Sequence, residues 1–382
     1  MLGIVITAYN RATPLADLLT SLNNVLVDDG RQIPLVISID NQGTKDVNQV
    51  ANDFKWKYGP KEVVIHEKKL GLVKHFIWAG DQTERFDNVL FLEDDLIVSP
   101  DIINYSLQLS NYYSKHIQVA AASLYNPILN EGTGTRFYQL VDGYDVYFLQ
   151  HPYWGNIWFK DKWCEFKKYL DTYSEKKALL PPHIALWTES FKKKYIQFLI
   201  ENNYTVVTPR VSIVSNNGCM GLHNDKLPFM YQAPIQQHKN TYNFCGLEDS
   251  ISIYDAFEEI SPDVLKRLNP LLCEYDFTVD INGTKQLSTI KTEYVLTSKK
   301  TSVPKLSFTS LMKPTEQGIV YNLQGDKGLS LCKTSDVIED PSYYKFRKWN
   351  DIEKNYDITT SLGFLKLILN RVWNYYKNRR RS

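Results

Sequence analysis

The chain has 382 residues, too many for one ordinary domain, which predicts a large domain together with something smaller. Its formal net charge of +1 offers no global electrostatic case for binding nucleic acid. The five cysteines are scattered and odd in number, so they suggest neither a zinc site nor a disulfide framework and favour a reducing cytoplasm. No signal peptide and no apolar run of membrane-spanning length is evident, so we expect a cytoplasmic protein.

The first hundred residues alternate between strand-like and helix-like segments. Short apolar runs predict buried strands at 3–7, 34–40, 63–66 and 89–92. Helices are predicted from Pro14, after Gly43 and from about Val73 to Gln82. This alternation indicates an α/β fold with a mostly parallel sheet flanked by helices. Ligands of such sheets bind beyond the carboxyl ends of the strands, where Asp40 and an acidic run at 93–95 lie.

The later part of the chain is less regular. It contains predicted strands at 119–123, 144–148 and 206–214, and predicted helices at 160–170 and 187–202. An aromatic loop occupies 151–156. We assign residues 1–262 to the main domain, 263–340 to a small accessory module whose residues 274–335 favour β structure, and 341–382 to a tail.

Three consecutive carboxylates, Glu93, Asp94 and Asp95, follow the fourth predicted strand. Burying charge is costly, so they cannot all lie unpaired in a core and must emerge at the edge of the sheet. Mg²⁺ and Mn²⁺ prefer such oxygens and usually share their coordination shell with substrate phosphates. An isolated acidic triplet can simply begin a solvated loop, but its position after a fourth parallel strand favours a metal site.

The segment from Val89 to Asp101 resembles the metal-binding segment of N-acetylglucosaminyltransferase I, a glycosyltransferase with the GT-A fold. The shared pattern is an apolar strand, Glu-Asp-Asp, leucine, an apolar residue and then Pro-Asp. Weaker matches over about 3–225 follow in the same order, at 6–11, 36–40, 74–79, 209–213 and Gly221. Bacterial family 2-like glycosyltransferases look similar too. The resemblance implies a Rossmann-like nucleotide-binding half joined to an acceptor half.

The resemblance also implies roles for the charged residues. Asp95 would be the direct ligand of Mn²⁺ or Mg²⁺, Asp94 would face the ribose or a metal-bound water, and Glu93 would face the donor sugar. Arg11 would meet the diphosphate, because its planar fork suits phosphate oxygens. His223 follows a Gly-rich loop where many GT-A enzymes place a second metal ligand, although N-acetylglucosaminyltransferase I does not clearly use one there.

Further roles concern the nucleotide and the donor sugar. Asp40 and His75 would hold the uracil base, although a core or surface position is an alternative for His75. Other nucleotide contacts are implied at the end of the first strand, by Thr7 and Ala8. Trp187 is implied to border the donor sugar. Trp154 and Gly155, in the aromatic loop, are implied to border the donor sugar or the acceptor, although Trp154 would equally suit the core.

An inverting transferase needs a carboxylate that takes the proton of the acceptor hydroxyl during attack on the anomeric carbon. The resembling family has Trp-Asp-Asp at a helix start, whereas this chain has Trp187-Thr188-Glu189. Thr188 cannot act as a base, so Glu189 is the surviving carboxylate, unless it only favours the N-terminus of its helix. Weaker alternatives are Asp142 and Asp145.

The tail from Leu362 to Ser382 joins an amphipathic helical face to a basic end. Such helices lie in the membrane interface and favour anionic lipid, or they dock on the protein's own surface. Membrane contact would suit a lipid-linked oligosaccharide acceptor and a peripheral position on the inner face of a bacterial cytoplasmic membrane.

These features predict an inverting glycosyltransferase that moves a sugar from a UDP-sugar to a glycan or lipid-linked acceptor in bacterial surface polysaccharide synthesis. Two other classes stay open. A sugar-nucleotide pyrophosphorylase is expected to carry a Gly-rich phosphate loop after its first strand, and residues 8–11 lack those glycines. A non-catalytic module that binds nucleotide-sugar or glycan is favoured by Thr188.

Overall fold

The computed structural model describes residues 1–27, 30–40, 43–218, 231–325 and 328–340, together with Leu365, Ile368 and Leu369. Four parallel strands form one half of a nine-stranded sheet: β1 (Leu2–Ala8), β2 (Leu35–Ile39), β3 (Lys61–Ile65) and β4 (Asn88–Glu93). Three helices alternate with them: α1 (Ala12–Asn23), α2 (Lys45–Asp53) and α3 (Leu72–Asp81). β1 and β2 are buried along their whole length, as a strand covered on both faces must be.

The other half of the sheet mixes directions. β5 (Leu96–Val98) does not belong to this sheet. The strands of this half are β6 (Val119–Ser123), β7 (Val146–Leu149), β8 (Asn156–Phe159), β9 (Thr205–Pro209) and β11 (Ile253–Tyr254). β8 lies between β4 and β6 and runs antiparallel to both, and β7 runs antiparallel to β9. The accompanying helices are α4 (Ile102–Tyr113), α5 (Lys160–Asp171), α6 (Pro182–Ala185) and α7 (Phe191–Glu201).

The full strand order is β11-β7-β9-β6-β8-β4-β1-β2-β3. The predicted α/β class with a mostly parallel sheet flanked by helices is therefore confirmed. The sheet brings the carboxyl ends of β1, β2 and β4 to one edge, because these three strands are neighbours and run in the same direction.

Two predicted elements are wrong in their extent. The strand expected at 206–214 is divided, because β9 ends at Pro209 and the chain beyond Arg210 turns to the segment after β6, where the Ile213 amide donates to the Leu124 carbonyl at 2.8 Å. The second piece, β10 (Val214–Asn216), pairs with β5 instead. The helix expected at 187–202 begins only at Phe191, because the Ser190 side chain accepts a hydrogen bond from a backbone amide and caps it there.

The C-terminal part contributes further sheets. A four-stranded sheet has the order β12 (Phe277–Asp280), β13 (Tyr294–Thr297), β16 (Leu329–Lys333), β15 (Leu306–Phe308), and β14 (Lys300–Thr301) pairs with β17 (Val337–Ile338). Two short helices, α8 (Pro262–Leu268) and α9 (Gln317–Val320), accompany them. Apolar side chains such as Phe277 and Leu296 join the same buried cluster as those of β1, so the predicted boundary at 262 stays a prediction.

Within the described ranges, no helix combines the length and the apolar character needed to cross a membrane. The predicted tail helix Leu362–Ser382 lies outside the described residues, apart from Leu365, Ile368 and Leu369. Those three residues are helical and exposed. The membrane contact of the tail therefore stays a prediction.

A close contact between α3 and α5 should reverse the usual effect of a helix glycine. A Cβ atom at the buried Gly80 would lie 2.0 Å from a ring carbon of Trp163. Replacing glycine by alanine inside a helix normally stabilises by up to about 1 kcal/mol. Overpacking dominates here, so we expect Gly80→Ala to lower the free energy of unfolding, measured in urea, by about 1–3 kcal/mol. An equal loss in a Trp163→Leu background would contradict this explanation.

Candidate functional site

The strand ends at the carboxyl edge are in register and closely bonded. Thr7 lies beside Glu93 on β4 and beside Ser38 on β2. The Ala8 carbonyl accepts a hydrogen bond from the Asp40 amide at 3.0 Å. Thr7 and Ala8 are themselves buried, with exposed fractions of 6% and 4%, so their side chains are packed at the base of this edge.

Arg11 bridges the two aspartates that follow β4. Its Nη2 donates to Asp94 Oδ1, and its Nη1 lies 3.0 Å from Asp95 Oδ2. The Asp94 side chain is only 6% exposed and that of Asp95 18%, so water screens these ion pairs poorly. The Arg11 guanidinium therefore contacts the acids themselves, and its predicted contact with a diphosphate stays a prediction.

Negative charge exceeds positive charge at this edge. Burial, and then the charge of Asp95, raise the pKa of the half-buried Glu93 to about 7, although Lys192 opposes the shift. Burial also raises the pKa of Asp94 to about 6, against the opposing charge of Arg11. One guanidinium does not compensate three neighbouring carboxylates, so a further cation would stabilise their ionised forms.

The donor type at this edge suits Mn²⁺ or Mg²⁺, which bind carboxylate oxygens and complete their shells with water and phosphate. The number of protein ligands is less favourable, since no group of three or more His, Cys, Asp or Glu side chains in the described ranges could hold a metal ion. His223, the expected second ligand, and Gly221 lie outside the described residues. A hydrogen bond fixes the backbone of Asp95, because its carbonyl accepts from the Asn217 amide at 2.8 Å.

Asp40 and His75 lie near the end of β2, where both have structural partners. The Asp40 carboxylate accepts hydrogen bonds from the backbone amides of Leu70 and Gly71, at 2.7 and 2.9 Å, and so fixes the start of α3. His75 is buried, and its Nε2 lies 2.7 Å from Ser38 Oγ. Burial lowers the pKa of His75 to about 4, so this imidazole is neutral near pH 7. Their contact with uracil stays a prediction.

The aromatic loop 151–156 packs closely against Tyr125 and Val214. Trp154 is half-buried, with its ring centroid 4.7 Å from that of Tyr125. Gly155 has a φ of 62°, and a Cβ atom there would lie 3.0 Å from Val214. Both the left-handed conformation and the close approach require glycine. Gly155 thus lets the loop approach Val214 closely, and the contact of the loop with a sugar stays a prediction.

Lys192 is a site residue that the sequence did not indicate. Its Nζ lies 5.6 and 5.8 Å from the ring centroids of Tyr153 and Trp154, in the first turn of α7. Its charge lowers the proton affinity of both Glu93 and Glu131, which burial would otherwise raise. Three consecutive lysines at 192–194 suggest a solvated helix face, so nothing in the sequence distinguishes this one.

The candidate bases differ in what surrounds them. Asp142 accepts a hydrogen bond from Arg210 at 2.7 Å, and Asp145 contacts Lys239 at 2.5 Å, so both carboxylates already serve local structure. Glu189 is exposed and directly precedes the cap of α7, with a φ of 45°. Among the three candidates, Glu189 is therefore the one that an incoming molecule reaches most directly.

A second polar cluster lies beside Trp187, which the sequence assigns to the donor sugar. It consists of Glu131, His151 and His183, whose positions far apart in the sequence gave no local signal. The Nε2 atoms of His151 and His183 lie 3.4 and 3.7 Å from Glu131 Oε2. The half-buried Trp187 ring stands nearly perpendicular to both imidazoles, with centroids 6.4 and 6.1 Å away.

No protein-family model matches the chain, and no curated protein matches it significantly. Solved structures do match. Staphylococcus aureus TarS gives a TM-score of 0.37 at 11% identity, over 56% of this chain and 59% of that one. The mannosyltransferase PcManGT from Pyrobaculum calidifontis, in complex with GDP-Man and Mn²⁺, gives 0.30 at 11% identity, over 44% and 46%. A cytidylyltransferase from Leptospira borgpetersenii gives 0.30 at 12% identity, over 53% and 71%.

The match thus spans less than two thirds of the TarS chain. The TM-scores and identities are too low to assign an activity to this chain. Its function has to be inferred from its own residues.

The ion pairs of Arg11 should dominate the stability of this edge. Replacing Arg11 by methionine leaves two poorly screened carboxylates without a partner, and we expect a loss of roughly 2 kcal/mol or more in the free energy of unfolding. Urea unfolding with a chelator present measures it. Arg85→Met is the matched control, because the Arg85–Glu62 pair is 49% exposed on both sides and should contribute less than about 1 kcal/mol. Equal losses in the two variants would contradict this account.

Proposed function

We propose that this chain is an inverting glycosyltransferase that uses Mn²⁺ or Mg²⁺ and a UDP-sugar donor. The observation that carries the proposal is the contact of Arg11 with Asp94 and Asp95, beside Glu93, at the carboxyl edge of the parallel sheet. Excess buried negative charge beside a guanidinium fork suits a cation and a diphosphate bound together.

Each residue of this edge receives a role in the proposal. Asp95 would hold the cation, together with His223, and the bound cation would help neutralise the diphosphate leaving group. Arg11 would donate hydrogen bonds to phosphate oxygens. Asp94 would face the ribose, and Glu93 the donor sugar. The remaining proposed contacts are Thr7, Ala8, Asp40 and His75 with the nucleotide, and Trp154, Gly155 and Trp187 with the donor sugar.

Glu189 is the proposed base. It would take the proton of an acceptor hydroxyl as that oxygen attacks the anomeric carbon and the bond to the diphosphate breaks. Its exposure supports the proposal, because an acceptor must arrive from solvent. The acceptor is proposed to be a glycan or a lipid-linked oligosaccharide in bacterial surface polysaccharide synthesis, at the inner face of the cytoplasmic membrane.

Release of UDP from a panel of UDP-sugars in the presence of Mn²⁺ tests the reaction. We expect Asp95→Ala to reduce release by roughly a hundredfold, because several kcal/mol of charge stabilisation are lost with the cation. Glu84→Ala is the control, because Glu84 is exposed and precedes β4, at the opposite edge of the sheet. Glu189→Gln should abolish transfer while leaving UDP affinity unchanged.

Other outcomes identify the alternatives. Tight UDP binding without hydrolysis or transfer would support a non-catalytic module. Formation of pyrophosphate from UTP and a sugar 1-phosphate would support a pyrophosphorylase. UDP release that is indifferent to Asp95→Ala would overturn the proposed metal site.

The tail should bind anionic membranes. We expect the full chain to float with vesicles of phosphatidylglycerol and phosphatidylcholine, and a chain ending at Asp357 to lose this binding, because its basic amphipathic segment is gone. Vesicles of phosphatidylcholine alone are the control. Undiminished flotation of the shortened chain would rule out the tail as an anchor.

A further inference from the structure

Three polar atoms converge beside Trp187 without hydrogen bonds. Glu131 Oε2 and the Nε2 atoms of His151 and His183 are all buried, and none has a hydrogen-bond partner among the described residues. The two Nε2 atoms lie 3.4 and 3.7 Å from Glu131 Oε2, so the three atoms face one another without a well-directed hydrogen bond. Buried polar groups in folded proteins are nearly always hydrogen-bonded, so three unbonded atoms at one point require an explanation.

The surroundings keep Glu131 ionised. Burial alone would raise its pKa, but the His183 side chain and the charges of His151 and Lys192 outweigh burial and lower the pKa to about 2. Burial lowers the pKa of His151 to about 3, so His151 is neutral near pH 7. Lys192 contributes a positive charge that acts on Glu131 at that pH. The Glu131 side chain is 29% exposed. An ionised hydrogen-bond acceptor therefore borders solvent here.

The backbone holds Glu131 in a closed turn. The Asn130 amide donates to the Thr135 carbonyl at 2.8 Å, and the Gly134 amide donates to the Asn130 carbonyl at 2.8 Å. The Asn130 side chain also accepts a hydrogen bond from the Thr133 amide at 2.8 Å. The backbone that carries Glu131 is thus ordered before any ligand arrives, which lowers the entropic cost of binding one.

The cluster lies close to the proposed transfer site. Lys192 acts electrostatically on both Glu131 and the donor-side Glu93. Trp187, which faces the two imidazoles, lies two residues before the proposed base Glu189. A sugar ring packed against Trp187 would therefore have hydroxyl groups within reach of the cluster and of the base.

We propose that Glu131, His151 and His183 form a subsite that binds hydroxyl groups of the acceptor sugar beside Trp187, whose ring would then lie between the donor sugar and the acceptor sugar. Sugar hydroxyls would donate to the Glu131 carboxylate and exchange hydrogen bonds with the exposed side of His183. The buried His151 would position the Glu131 side chain through its contact with Oε2. An aromatic ring beside a few convergent polar groups is the usual composition of a small-ligand site. The inference rests on the proposed transferase function and specifies where its acceptor binds.

Saturation-transfer NMR on the full chain with Mn²⁺ and UDP tests this subsite. The probes are the methyl glycosides of glucose, galactose, N-acetylglucosamine and N-acetylgalactosamine. We expect signal from at least one probe and a loss of affinity of roughly tenfold in Glu131→Gln and in His183→Ala, because a charge-assisted hydrogen bond is removed. UDP affinity, measured by calorimetry on the same samples, should not change. Glu84→Gln is the charge-matched control on the opposite edge.

Several outcomes would overturn the subsite. They are the absence of signal from every probe while UDP binds, probe affinity unchanged in both variants, and a co-purified metal ion that His151→Ala removes. Failure of UDP and Mn²⁺ to bind the wild-type chain would instead refute the proposed transferase itself. The two failures are distinguishable, because donor and probe are measured separately on one sample.

Discussion

Uncompensated negative charge at the carboxyl edge of the sheet is the constraint on which the rest of the site depends. Parallel strands bring Glu93, Asp94 and Asp95 to one edge, where burial opposes the ionisation of Glu93 and Asp94. Arg11 offsets part of that cost, since it begins the helix that returns from the neighbouring strand β1. The backbone topology thus creates both the electrostatic strain and the cation that partly relieves it.

Lys192 connects this edge with the cluster around Glu131. Its ammonium group approaches the rings of the aromatic loop and favours the ionised forms of one carboxylate in each region. Lys192 lies in the first turn of α7, which begins at Phe191 because Ser190 caps the helix there.

The sequence predicted features that depend on local pattern. β1, β2 and β4 were identifiable because continuous apolar runs mark strands buried on both faces, whereas β3 is a partly exposed edge strand. The acidic run was identifiable by its position after β4. β8 was missed because Asn156–Phe159 merges with the preceding aromatic loop. The convergence of Glu131, His151 and His183 depends on how two loops and the short helix α6 pack, which no sequence pattern records.

The conformation of Glu189 bears on whether this carboxylate serves chemistry or only structure. Its φ of 45° is a left-handed conformation that glycine or asparagine adopts at lower cost. The neighbouring segment enforces it, because Lys193 Nζ donates to the Ala185 and Trp187 carbonyls at 2.9 and 2.8 Å and Ser190 caps α7. Glycine or asparagine would be less strained at position 189, as at Glu258, which also has a positive φ, of 58°. The role of the Glu189 carboxylate as the base therefore stays a proposal that its exposure, rather than its strain, supports.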